Sequence, residues 1–161
     1  MTMEDIFYTS VVVCFVVGIL SLFLSYATTT GISALSAGIN ATGLPNLPGV
    51  VSLSSGLYNF AFFFPDLAAI MVIVLIIQTW ILSWFIKAHP LAAVSGIFAL
   101  FGYTIVSFFV SNAVVGVARL PLFSPVIAFA NPLLFLFINM PVVLFLAGIV
   151  DIAVALTAAR M

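Results

Sequence analysis

Long apolar stretches alternate with short runs of proline, glycine and hydroxyl residues along this chain, and the apolar stretches are long enough to cross a bilayer. A spanning helix needs about 20 mainly apolar residues. Residues 6–26 meet that length with no charge inside, and predict a first transmembrane helix. Residues 67–86 predict the second, closed by Lys87-Ala88-His89-Pro90, where proline lacks a backbone donor and biases its predecessor away from helix. The third begins at once and covers residues 91–115. The fourth covers residues 133–158, with Pro141 inside it and a kink expected there. The fold class expected is an all-α integral membrane protein of about four spans in a single transmembrane domain.

Between the first two spans, residues 27–65 turn rich in Gly, Ser, Thr, Asn and Pro, yet carry no charge. A water-exposed loop of that length normally carries charges. The segment is therefore expected in the membrane interface, re-entering the bilayer, or under a partner, since irregular backbone at membrane depth survives only where protein or a wet cavity satisfies it. A flexible polar loop is the plainer alternative. Asp66, following Pro65, is expected to cap the second span at the positive end of its dipole. Arg119, Pro121, Pro125 and Pro132 break up the stretch before the fourth span, which reads as a short interfacial or re-entrant connection.

Small residues recur at helical spacing within the spans. Cys14, Gly18, Ser21 and Ser25 form one stripe on the first, Ala92, Ser95, Ala99 and Gly102 another on the third, and Gly148 and Ala155 flank Asp151 on the fourth, with Ala158 a further turn on. Such stripes let a second helix approach closely and are read as packing surfaces.

Composition sharpens this picture. Of 161 residues 66% are hydrophobic and 4% charged, where soluble domains are about a quarter charged. The net charge of −1, with no basic cluster, gives no reason to expect nucleic acid or anionic headgroups as partners. The single cysteine, Cys14, offers neither an intrachain disulfide nor metal-ligand spacing. An acidic start, Glu4-Asp5, followed by an apolar run of spanning length predicts a retained first helix and not a cleaved signal. With four spans both termini share a side. Lys87 and Arg160 fall on it against Arg119 opposite, so by the positive-inside rule cytoplasmic termini are expected.

Asp151 carries the most information, because an acid inside a span is costly and marks a functional site by default. Read that way it is a proton or cation site. The plainer reading places it toward the headgroups near Arg160, or in an interhelical hydrogen bond. Gln78, Asn112 and Asn139 are the other strongly polar side chains in or near spans; with Asp151 they would line a narrow water path, or else fasten helices together. His89 has the chemistry of a switch near neutral pH but sits in a tight turn. Trp80 and Trp84 are expected as interfacial anchors, and Phe62, Phe63 and Phe64 as lipid-facing residues. Asn40-Ala41-Thr42 fits the glycosylation acceptor pattern, which matters only in a eukaryotic lumen.

No phosphate-binding glycine loop, paired histidines or nucleophile elbow is present, and one histidine serves the whole chain. No catalytic residue, metal or cofactor is expected. The partners expected are the lipid bilayer and copies of the chain or other membrane subunits. The function expected is that of a structural or accessory subunit of a larger assembly, either a multisubunit membrane complex or a membrane-containing virus particle. The alternative is a small oligomeric pore, holin-like channel, or ion or proton carrier that uses Asp151.

Overall fold

Thr2 starts the first helix by a reciprocal cap: its backbone N–H donates to Asp5 Oδ2 at 2.7 Å, and its Oγ1 accepts from the Asp5 N–H at 3.2 Å. The computed structural model describes residues 2–41, 48–118 and 132–161. It is all-helical there, with four helices long and apolar enough to cross a membrane. The helices are α1 (Met3–Ala41), α2 (Pro48–Trp84), α3 (Pro90–Ala118) and α4 (Pro132–Arg160).

The first helix does not stop at Tyr26 as the sequence pattern predicts but continues to Ala41. The reason lies in its hydroxyls, which fold back onto their own helix. Ser25 Oγ donates to the Ser21 carbonyl at 2.7 Å, Thr29 Oγ1 to Ser25 at 2.8 Å, Thr30 Oγ1 to Tyr26 at 2.9 Å, and Ser33 Oγ to Thr30 at 2.8 Å. Side chains that would otherwise need water are satisfied in place, so a polar composition does not force an exit from the helix.

The second helix likewise starts earlier than expected, at Pro48 and not at Leu67, and runs through Pro65. Proline at a first helical position loses no bond, whereas in the interior it removes one; neighbouring helices make the second case tolerable in a membrane. Asp66 is consequently an interior, half-buried residue and not the cap of a helix start. Between residues 27 and 65, every described position belongs to a helix. The connection around Arg119, Pro121 and Pro125 lies outside the described residues, as does Thr42, the last residue of the glycosylation pattern.

At the other end α2 stops at Trp84 and the chain turns over residues 85–88, with the Ala88 and His89 N–H groups both donating to the Phe85 carbonyl at 2.9 Å. Pro90 opens α3, and the Leu91 N–H, one of the donors a helix start leaves unpaired, is taken by Glu4 Oε1 of α1 at 3.3 Å. The starts of α1 and α3 are thereby tied at one end of the bundle. Phe15 against Gly102 and Tyr103 against Gly18 show the two helices running side by side in the same direction.

In cross-section α1 packs on α2 and α3, α4 packs on the same two, and α2 meets α3 along a shorter contact. The central pair is thus α2 and α3, with α1 and α4 on its flanks. The core is built from Val11 and Leu22 of α1, Val72, Leu75 and Leu82 of α2, Leu100 and Tyr103 of α3, and Phe137, Met140 and Leu144 of α4. Large apolar side chains such as Leu20, Phe23, Ile77, Phe98, Phe109 and Leu146 point outward, as lipid-facing surface requires.

Lengths differ between the two pairs. At about 1.5 Å per residue, α3 and α4, with 29 residues each, measure roughly 43 Å. By the same rise α1, with 39 residues, and α2, with 37, reach roughly 58 and 55 Å. A hydrocarbon core is about 30 Å thick. With the bundle aligned at the Glu4–Leu91 end, α1 and α2 overhang at the other.

Candidate functional site

The small-residue stripes predicted on three helices are used inside the chain. Gly18 is buried against the Tyr103 ring, where an added Cβ would stand 2.6 Å from Cζ and nearer still to the hydroxyl. Ser21 and Ser25 are buried beside it, and Cys14 is half-buried. On α3, Ala92 and Ala99 are buried, Ser95 is half-buried with its hydroxyl on the Ala92 carbonyl, and Gly102 meets Phe15. On α4, Gly148 takes the Phe101 ring, 2.9 Å from where a Cβ would be, and Ala155 is buried. Each stripe is a packing surface, and its partner is another helix of the same chain.

A different stripe is left open. Ala27, Gly31, Ala34, Gly38 and Ala41 follow one another at spacings of four, three, four and three, and all five are exposed. Among the described residues, a Cβ at Gly31 or Gly38 would meet nothing within 4 Å. The opposite side of the same stretch of α1, Ser25, Thr29 and Ile32, is buried. The spacing was as legible as that of the other stripes, but the expectation of a non-helical segment hid it.

Of the polar residues expected to line a common path, Gln78 and Asn112 are engaged in contacts of their own. Gln78 Nε2 donates to Ser10 Oγ at 2.7 Å and so fastens α2 to α1. Asn112 is exposed and returns its Nδ2 to the Phe108 carbonyl of its own helix at 2.7 Å. Asn139 is half-buried, engaged in an interaction, and lies twelve residues before Asp151 on α4, about 18 Å along the axis. The Gln78–Ser10 bond has a measurable consequence. A double-mutant cycle of Ser10→Ala and Gln78→Leu is expected to give a coupling of roughly 0.6 kcal/mol, up to about 1.7, typical of hydrogen bonds between membrane helices. Strict additivity of the two changes in detergent unfolding would show that the bond contributes nothing.

Asp151 is 2% exposed and centred on the buried face of α4, between Gly148 and Ala155. It precedes Arg160 by nine residues, about 13 Å of helix. Successive crossings alternate in direction, so moving along α4 from Gly148 to Asp151 is moving back along α3 from Phe101 toward Gly96. Gly96 in turn receives the Thr79 methyl of α2. Asp151 therefore stands near the height of the Thr79–Gly96 contact, facing the central pair. Thr79, whose hydroxyl donates to the Leu75 carbonyl, and Ser83, one turn further on, are both fully buried. Asp151 Oδ2 and Ser83 Oγ lack hydrogen-bond partners among the described residues. Sequence reading found Asp151 but not the buried hydroxyls of α2, because Ser and Thr are common in membrane helices and carry no signal of their own.

Among the described residues, no three of His, Cys, Asp and Glu gather where they could hold a metal ion. Comparison with family models, curated proteins and solved structures finds no match to this chain.

Proposed function

We propose that this chain is a structural or accessory integral membrane subunit that acts by helix–helix packing within a larger assembly, a multisubunit membrane complex or a membrane-containing virus particle. The observation that carries the reading is the outward stripe from Ala27 to Ala41, with Gly31 and Gly38 facing open space. The stripes through Gly18, Gly102 and Gly148, by contrast, each have a side chain of another helix seated on them. In a bilayer, apolar surface gains nothing from leaving lipid, so close backbone approach at small residues is what drives association. The stripe runs out onto the part of α1 that overhangs α3 and α4, and no charged residue occurs from Ile6 to Pro65. A surface without charge and without bulk suits another membrane chain, either a second copy or a different subunit, better than it suits water.

Gln78, bonded to Ser10, and Asn112, bonded to a carbonyl of its own helix, support this reading over a pore lined by both of them with Asn139 and Asp151. No catalytic role is proposed. Lys87 and Arg160 belong to the end of the bundle that holds both termini, which favours cytoplasmic termini by the positive-inside rule.

Extraction from the native membrane in a mild detergent tests the proposal. The expected result is a defined particle well above the 17.1 kDa chain mass, containing further copies or other membrane proteins in fixed ratio. A monodisperse monomer that leaves no partner behind would refute it.

A further inference from the structure

An ionised carboxylate only accepts hydrogen bonds, whereas a protonated one also donates. Asp151 is 2% exposed, and its Oδ2 has no hydrogen-bond donor among the described residues. The elements packed on α4 are α2 and α3. Near its height α2 offers the neutral hydroxyls of Thr79 and Ser83, and α3 offers Gly96 and Phe101. The charged and titratable groups are elsewhere. Lys87 is exposed in the turn that ends α2, His89 has its ring on Phe7 of α1, Tyr103 is turned to Gly18 of α1, and Arg160 is exposed at the end of α4. Asp66 is seventeen residues before Ser83 on α2. No cation among the described residues is placed to balance a charge on Asp151.

Taking a charge out of water without a partner is far more costly than burying a neutral polar group, and a buried acid avoids that cost by holding a proton. We propose that Asp151 is a proton-binding site in the interior of the bundle, occupied at neutral pH, with a proton and not a metal cation as its ligand. The site is complete within one chain and does not depend on the assembly proposed above.

Infrared spectroscopy of the full chain in proteoliposomes at pH 7 tests this directly. The expected spectrum contains the carbonyl band of a protonated carboxyl. That band should shift when aspartate is labelled with carbon-13, survive Asp5→Asn, disappear in Asp151→Asn, and stay unchanged when sodium or potassium chloride is added. Asp151→Asn, which mimics the neutral acid in shape, should keep the melting temperature within a few degrees of the parent and leave the particle mass unaltered. Absence of the band from the parent chain, or its persistence in Asp151→Asn, overturns the proposal. Loss of the band on adding sodium or potassium would assign the site to a cation and overturn it as well. If Asp151→Asn does not fold, the carbon-13 shift in the parent chain and in Asp66→Asn decides. A labelled band retained in Asp66→Asn supports Asp151, and one lost there refutes it.

Discussion

Gly18→Leu will unfold the bundle or leave it severely destabilised. Even an alanine Cβ at this position falls 2.6 Å from Tyr103 Cζ and closer to its hydroxyl, and Tyr103 has no room to move, being fully buried and edge-on to Phe15 at 6.3 Å between ring centroids. Overpacking of this kind costs about 1–3 kcal/mol for one or two extra carbons, and more where backbones must part. The contact joins α1 to α3, so parting it also threatens the Glu4 cap on Leu91 at the end of the same interface. Gly18→Ala is the graded version, expected to lower the unfolding free energy in detergent by about 1–3 kcal/mol. Tyr103→Ala should abolish most of that penalty, because the added Cβ then faces a cavity. A double-mutant cycle with a coupling near zero would show that the ring does not press on Gly18.

The contrast between Gly18 and Gly31 explains how much of this molecule was legible beforehand. Span number and type were readable because a bilayer imposes a length on any apolar run, and residues 67–86 and 91–115 needed little more than counting. The stripes through Gly18, Ala92 and Gly148 were readable because a helical period of 3.6 brings small residues onto one face. What the period does not contain is the identity of the helix that lands there. Those stripes turned out to be internal contacts, while the open stripe was missed altogether. Residues 27–41 read as non-helical because Thr28, Thr29, Thr30 and Ser33 look like a polar exit, yet their hydroxyls close on carbonyls of the same helix. Pro65 misled in the same direction, by a rule for proline that is drawn from helices in water and relaxed where other helices surround the break. Asp151 stood out by charge alone. The buried hydroxyls of Thr79 and Ser83 did not, since only the packing of α2 among the other helices buries them.

Gly31→Leu combined with Gly38→Leu should have the opposite signature to Gly18→Leu: an intact bundle that no longer assembles. Among the described residues neither position has an atom within 4 Å of the added Cβ, so the leucines displace none of them. Replacing glycine by leucine in an exposed helix interior also gains up to about 1 kcal/mol of helix propensity per site. Unfolding of the monomer in detergent should therefore be unchanged or slightly raised. Association depends on backbone proximity at these two positions, and two leucine side chains hold a second helix several ångströms away. The expected result is a loss of at least tenfold in association, about 1.4 kcal/mol or more, read as a fall of the native particle toward single chains. Gly31→Ala with Gly38→Ala should fall between the parent and the leucine pair. If the leucine pair leaves particle mass and composition untouched, the stripe is lipid-facing and the subunit reading loses the observation that supports it. If it lowers monomer stability instead, the stripe packs within the chain, through residues that the contact geometry of Gly31 and Gly38 does not reach.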